Sequence, residues 1–121
     1  MKPSTEPLPV PVGLDVGDRF AHLCRLDEEG NILEETRIAT TRTALGRRFA
    51  EMPWARVVLE VGPRSPWISR LLAKLGHEVI VANPGKLRLI YDNDQKCDWA
   101  DAEYLARMSR LDPKLLAPVQ H

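Results

Sequence analysis

The chain has 121 residues, of which 44% are apolar and 28% charged, the size and composition of one globular domain. Seventeen Lys and Arg balance seventeen Asp and Glu, so bulk charge gives no support for nucleic-acid binding, which would need local basic patches. The sequence has no apolar run that could span a membrane and no signal-peptide core. Its two cysteines, Cys24 and Cys97, lack metal-type spacing, so we expect a cytoplasmic protein with free thiols.

The first half of the chain predicts an antiparallel three-stranded meander followed by a short helix. Four prolines among residues 1–11 indicate a disordered leader. Alternating or continuous apolar residues, separated by turn residues, predict strands over Val10–Val16, Arg19–Leu26 and Ile32–Ile38. Thr41 or Thr43 would cap a helix that runs to about Met52 and buries Leu45 and Phe49.

The first strand carries a single charge, Asp15, on a face that it shares with two glycines. Side chains two residues apart in a strand point the same way, so Gly13, Asp15 and Gly17 lie together. The opposite face carries Val12, Leu14 and Val16. We expect the two glycines to clear space beside the carboxylate for a ligand or a phosphate backbone.

The second half of the chain alternates strands and helices, which together with the first half predicts an α/β fold with a mixed five-stranded sheet. Strands one and four should be neighbours at its centre. The predicted strands are Arg56–Gly62 and His77–Ala82, and the predicted helices are Ser65–Leu75, Lys86–Tyr91 and about Asp98–Arg110, with the start of another element at Leu115–Val119.

The helix after the fourth strand has clear start and stop signals. Ser65 precedes a proline, so its hydroxyl should cap the helix, and Gly76 should end it. The residues expected to point inward are Trp67, Leu71, Leu72 and Leu75. The same Ser-Pro context favours a capping role for Ser65 over a nucleophilic one. His22 and His77 have no partner at ligand spacing, so we expect packed or capping roles for them.

Four carboxylates stand out from these elements. Asp15 and Glu60 interrupt apolar strands, where an unpaired charge is costly, and Asp98 and Asp101 lie three residues apart on one face of a helix. An arginine or backbone N–H groups would explain either strand acid alone, and a solvated first turn would explain the helical pair. One shared divalent cation explains all four more simply. Two metals about 3.5–4 Å apart are a known solution for phosphodiester chemistry.

Four stretches of the chain, in order, resemble the successive motifs of the DEDD transposases. These are bacterial insertion-sequence recombinases whose N-terminal domain is similar to the Holliday-junction resolvase RuvC. The stretches are Val12–Gly17, Leu59–Pro63, Val79–Pro84 and Lys96–Glu103. The resemblance implies a ribonuclease H-like, RuvC-like domain over residues 12–121. It also assigns the family's four metal-binding catalytic acids to Asp15, Glu60, Asp98 and Asp101.

The same resemblance implies a function in bacterial transposition. The expected cofactor is Mg²⁺, as two ions that Mn²⁺ can replace, and the expected reaction is DNA strand cleavage and rejoining. The expected partners are DNA, a structured guide RNA that pairs with donor and target DNA, and further copies in a homo-oligomer, with no membrane. Family members continue into a C-terminal domain that supplies the attacking serine. This chain stops before that domain, so we expect no recombination by the chain alone.

Three basic residues flank the acids and are predicted to contact nucleic-acid phosphates: Lys86, Arg88 and Lys96. Ordinary surface charge is the simpler alternative for them. A second reading of the whole chain is a non-catalytic module that binds guide RNA or dimerises with the full-length enzyme. A third is a sugar-kinase or actin-like ATPase, in which Asp15-Val16-Gly17 would hold a phosphate. That reading needs a second lobe and leaves the Asp98 and Asp101 pair unexplained.

Overall fold

A computed structural model of the protein describes residues 8–83, 101–111, 116 and 118–121. These residues form a five-stranded sheet in the order β3-β2-β1-β4-β5. The strands are β1 Val10–Val16, β2 Phe20–Leu26, β3 Ile32–Ala39, β4 Ala55–Glu60 and β5 Glu78–Ala82. The described helices are α1 Arg42–Ala50, α2 Ser65–Lys74 and α3 Asp101–Met108.

The strand pairings make the sheet mixed. β1 and β3 each pair antiparallel with β2, whereas β4 lies parallel between β1 and β5. This confirms the predicted α/β fold and the central pairing of strands one and four. The first strand begins at Val10, two residues inside the segment assigned to the leader.

The helices cover the two faces of the sheet with different side chains. On one face, α1 and α2 bury Phe49, Ile68 and Leu72 against β-strand residues that include Val12 and Leu59. On the other face, α3 packs in two smaller groups: Leu105 with Val58 and Ile80, and Ala102 and Ala106 with Cys24 and Leu26. Burial of both faces explains why β4 reads as a nearly continuous apolar run.

Local signals set two helix ends as predicted. The hydroxyl of Thr41 accepts a hydrogen bond from the Ala44 N–H and so caps α1. Gly76 follows α2 with φ of 97°, a left-handed conformation that glycine adopts without the cost of a Cβ. The Gly76 and His77 N–H groups donate to the carbonyls of Ala73 and Leu72, which satisfies the last turn of the helix.

The start of α2 differs from the prediction. Ser65 is the first helical residue rather than the cap, and Arg64 occupies the capping position without a side-chain hydrogen bond. Leu72 is fully buried as predicted, and Trp67, Leu71 and Leu75 pack partly buried against the core, whereas the fully buried Ile68 was not predicted. The centre of the buried face is therefore displaced by about one residue from the predicted one, which corresponds to a rotation of roughly 100° around the helix axis.

The end of the chain extends the sheet. Pro118 forms an isolated antiparallel bridge with Ala82, and the Val119 N–H donates to the Val81 carbonyl at 2.8 Å. The predicted helix Lys86–Tyr91 and the first residues of the closing helix lie outside the described residues. Among the helices that the structure describes, none has the length and apolar character needed to cross a membrane.

Candidate metal centre

The centre of the sheet brings the first two candidate acids together. The parallel register pairs Gly13 with Val58, so two residues further along Asp15 comes beside Glu60. Both side chains line one cleft of about 220 Å³. After β1 the chain continues to β2 on one side of this central pair, and after β4 it continues to β5 on the other side. Such a switch point, at the carboxyl ends of strands, is where open α/β sheets bind ligands.

The wall of the cleft is formed mainly by the segment that follows β4. Both acids are half-buried, and Leu105 of α3 closes the cleft from the helical side. The remaining lining residues are Leu14, Val16, Val61, Gly62, Pro63, Arg64 and Ser65. At the rim, Arg64 forms an ion pair with Asp18 at 2.7 Å. The pair is largely exposed, so it contributes little to stability but places a cation near the cleft.

A third acid, Asp101 at the start of α3, acts electrostatically on Asp15. Burial raises the pKa of the Asp15 carboxyl above its ordinary value, and the negative charge of Asp101 raises it further. His22, which is opposite Asp15 in the sheet register, lowers the pKa of Asp15 in part. The fold therefore holds two carboxylates from distant parts of the sequence close enough to repel each other. A bound cation would relieve that repulsion.

Gly13 sets the position of α3, and this corrects the role predicted for the glycines of β1. A Cβ on Gly13 would lie 2.1 Å from the Ala102 carbonyl oxygen and 2.2 Å from the Ala106 nitrogen. A Cβ on Gly17 would lie 2.7 Å from the carbonyl oxygen of Phe20, to which the Gly17 N–H donates at 3.0 Å. The expectation that these glycines clear space for a ligand is therefore wrong. Gly13 admits the backbone of α3, and Gly17 admits a tight hairpin.

The far end of α3 is attached to the turn between β2 and β3. A guanidinium nitrogen of Arg107 donates to the Gly30 carbonyl at 3.1 Å, and one of Arg110 donates to the Glu28 carbonyl at 3.2 Å. Glu103 holds Arg107 in place through an ion pair at 2.9 Å. Contacts at Gly13 and at this turn thus orient the helix, so that Asp101 is carried by a fixed element rather than by a loop.

A comparison with protein-family models identifies the chain. The model of the IS110-type DEDD transposases, described as Transposase, matches residues 12–121, which is all but the first eleven residues. The chain belongs to this transposase family. A comparison with curated proteins found no match. Membership agrees with the five-stranded mixed sheet, since the ribonuclease H-like domain expected for the family is an α/β fold.

In this transposase domain the predicted site residues fall into two groups. Asp15 and Glu60 share one cleft, and Asp101 acts on Asp15. Asp98, Lys86, Arg88 and Lys96 lie outside the described residues. Within the ranges that are described, no three His, Cys, Asp or Glu side chains form a group that could hold a metal ion. The described part of the domain therefore does not by itself show a complete metal-binding group.

Ser65 belongs to the cleft, which the sequence did not indicate. Its side chain is 2% exposed, and its Oγ accepts a hydrogen bond from the Gly62 N–H at 3.1 Å. The same oxygen lies 2.8 Å from the Gly62 carbonyl oxygen and 2.9 Å from Nε2 of His121. Ser65 therefore shapes the turn that follows Glu60 and joins it to the end of the chain. The proximity to His121 arises only in the folded chain.

Replacing Ser65 with alanine is expected to lower the free energy of unfolding of the transposase domain by about 1–3 kcal/mol, because partly buried polar groups at Gly62 would lose their partner. Urea unfolding followed by circular dichroism measures the change. Ser69→Ala is the matched control, since among the described residues the Ser69 hydroxyl donates to the Pro66 carbonyl within the same helix. Equal effects of the two substitutions would contradict a specific role for Ser65.

Proposed function

We propose that this domain binds two Mg²⁺ ions through Asp15, Glu60, Asp98 and Asp101 and supplies the metal-binding part of a DNA cleavage and rejoining reaction. The observation that carries the proposal is the convergence of carboxylates from separate elements. Asp15 of β1 and Glu60 of β4 line one cleft, and Asp101 of α3 acts on Asp15 through its charge.

The chemistry of these side chains suits a divalent cation. Carboxylate oxygens are the protein ligands that Mg²⁺ and Mn²⁺ prefer. A half-buried acid whose pKa is raised by burial and by a second acid is in an environment that disfavours its charge. A cation that both acids share would stabilise the ionised forms.

In the proposed mechanism the protein positions the reacting DNA. Metal ions bound by the four acids would stabilise the negative charge that develops on the oxygens of the scissile phosphate. Asp15 and Glu60 orient the site from two adjacent strands, and α3 brings Asp101 against it. Lys86, Arg88 and Lys96 are proposed to contact the DNA phosphates on either side.

The motif resemblance also supports finer proposals about the complete reaction. A structured guide RNA would select donor and target DNA, and the longer protein would act as a homo-oligomer in the bacterial nucleoid. The attacking serine would come from a C-terminal domain beyond this chain. The alternative of a non-catalytic module that binds guide RNA differs in one measurable respect, because it requires no metal binding by the four acids.

Titration of the metal-free chain with Mn²⁺ by isothermal calorimetry tests the proposal. We expect saturable binding that is weakened about tenfold or more by Asp15→Asn, Glu60→Gln or Asp98→Asn, in line with the cost of disrupting a metal site. Glu29→Gln is the matched control, because Glu29 is an exposed acid in the turn between β2 and β3. If Mn²⁺ fails to bind both with and without a DNA oligonucleotide, or if Glu29→Gln weakens it equally, the proposal is wrong.

A further inference from the structure

The sheet face that carries Asp15 continues beyond α3 as an accessible surface. The register aligns Asp15 of β1 with His22 of β2, and His22 with Arg37 of β3. Side chains aligned in this way point to the same face of a sheet. Helix α3 packs on β1, β2 and β4. The side chains of His22 and Arg37 lie beside α3 on the same sheet face and are exposed.

This surface borders a groove of about 340 Å³ at the edge of α3. The lining residues are His22, Leu23, Glu35, Thr36, Arg37 and Ala102. Ala102 is the neighbour of Asp101, so the groove begins beside one candidate metal-binding acid. His22 lowers the pKa of Asp15, which places the imidazole within electrostatic reach of a second such acid. The groove is therefore continuous with the surroundings of the proposed metal centre.

An exposed aromatic ring and an arginine are stacked at one end of this surface. Phe20 begins β2, has 41% of its side chain exposed and shares the face of His22. The guanidinium carbon of Arg37 lies 4.2 Å from the centre of the Phe20 ring. Among the residues that the structure describes, no carboxylate forms an ion pair with Arg37. A guanidinium stacked on a ring keeps its N–H groups free at the edge, where they can bind a phosphate.

The charges on β3 determine the direction in which a bound polyanion would cross this surface. Arg37 lies at the end near Phe20, whereas Glu35 faces Cys24 two residues further along the strand. A polyanion is attracted to the Arg37 end and repelled at the Glu35 end. The favoured path therefore crosses the sheet from Asp15 through His22 to Arg37 and Phe20, rather than following β3.

We propose that Phe20, His22 and Arg37 form a binding surface for the single DNA strand that enters the cleft, which rests on the function proposed above. Arg37 would bind a phosphate, and Phe20 would stack with a base. Two strand spacings separate Asp15 from Arg37, about 10 Å. At this distance the surface would contact DNA within a few nucleotides of the scissile phosphate.

Binding of a labelled oligothymidylate to the chain in EDTA, followed by fluorescence anisotropy at several salt concentrations, tests this surface independently of metal. Arg37→Gln is expected to weaken binding severalfold and to reduce the slope of log K against log salt by about 0.7, the value for one phosphate contact with a single strand. Phe20→Ala is expected to weaken binding about fivefold or more without changing the slope, because stacking is uncharged.

Two further variants separate a local contact from general effects of charge or folding. Arg47→Gln removes an exposed charge from α1 on the opposite face and is expected to change neither affinity nor slope. Arg37→Lys keeps the charge but loses the planar stack, so we expect a preserved slope with weaker binding. Equal effects of Arg37→Gln and Arg47→Gln, or no binding of the oligothymidylate by the unsubstituted chain, would overturn the proposal.

The result also distinguishes this surface from the metal centre and from an RNA site. Asp15→Asn is expected to leave oligothymidylate binding in EDTA intact or tighter, because it removes an anion, while it weakens Mn²⁺ binding about tenfold or more. Arg37→Gln is expected to leave Mn²⁺ binding unchanged. If the effects of Arg37→Gln and Phe20→Ala occur with oligouridylate and not with oligothymidylate, the surface binds RNA and the proposal for DNA is wrong.

Discussion

Gly13→Ala is expected to lower the free energy of unfolding by about 3 kcal/mol, the upper part of the usual range for overpacking. The added Cβ would lie 2.1 Å and 2.2 Å from backbone atoms of Ala102 and Ala106. Backbone atoms inside a helix cannot move aside singly, so the whole of α3 must shift away from β1. The interface that would open contains Leu105 and Val58, both buried.

Urea unfolding monitored by circular dichroism measures this effect, and two other glycines provide controls. A Cβ on Gly62 would meet no atom within 4 Å, so Gly62→Ala is expected to change stability by no more than about 0.5 kcal/mol. Gly46 lies inside α1, and the nearest atom to its Cβ would be Leu71 Cδ1 at 3.9 Å. Gly46→Ala is expected to stabilise the domain by about 0.5–1 kcal/mol, because alanine favours helix.

Gly13→Ala is also expected to affect the proposed metal centre, because it displaces α3. Because α3 carries Asp101, a shifted helix is expected to weaken Mn²⁺ binding along with stability. If Gly13→Ala unfolds at the same urea concentration as Gly62→Ala, then α3 does not rest on the backbone of β1 and its placement here is wrong.

Asp15→Asn is expected to reduce DNA strand cleavage about a hundredfold or more in a transposase that contains this domain, a typical loss for removing one group that stabilises a developing charge. The measurement is single-turnover cleavage of a labelled DNA substrate with Mn²⁺. Glu29→Gln, an exposed acid outside the cleft, should leave cleavage unchanged. Full cleavage by the Asp15→Asn enzyme would rule out Asp15 as a metal ligand.

The same variant is expected to stabilise the metal-free domain at neutral pH. The folded protein raises the pKa of Asp15, so the stability of the unsubstituted domain falls as pH rises through the interval from the ordinary carboxyl pKa to the raised value. The loss persists at all higher pH. Asparagine carries no charge, so the advantage of Asp15→Asn is expected at pH 7 and should disappear below about pH 3.9, the ordinary aspartate pKa.

Thermal unfolding in EDTA at several pH values measures this difference, and Asp27→Asn provides a control of opposite sign. Hydrogen bonds from Asn31, Glu29 and Gly30 lower the pKa of Asp27, so its ionised form stabilises the fold at neutral pH. Asp27→Asn is therefore expected to lower Tm at pH 7, with a difference that shrinks as pH falls. Mn²⁺ at a hundred times its Kd should stabilise the unsubstituted domain by about 2.7 kcal/mol and Asp15→Asn much less.

Much of the fold could be predicted because its signals are local. Strand periods, turn residues and capping groups act over a few positions, so the five strands were predicted within one or two residues. The buried pair of α1, Leu45 and Phe49, and the left-handed Gly76 were predicted for the same reason. The motif order also identified the family, because each acid stands in a recognisable local context.

The roles of three residues depended on chain segments far away in the sequence. Gly13 faces the backbone of α3, and Ser65 contacts His121 at the end of the chain. Phe20 lies under Arg37 of a different strand. The sequence analysis assigned Gly13 to ligand space and Ser65 to helix capping and gave Phe20 no role, because nothing in the local sequence showed the distant partner.

The sequence by itself determined the elements of this transposase domain, their order and the acids that interrupt them, because those features follow from periodicity and local hydrogen bonding. Only the tertiary structure decided what surrounds those acids. The strand register puts Asp15 beside Glu60, and the packing of α3 on Gly13 brings Asp101 to act on Asp15. These relations depend on close packing between elements, which chain connectivity permits but local sequence does not specify.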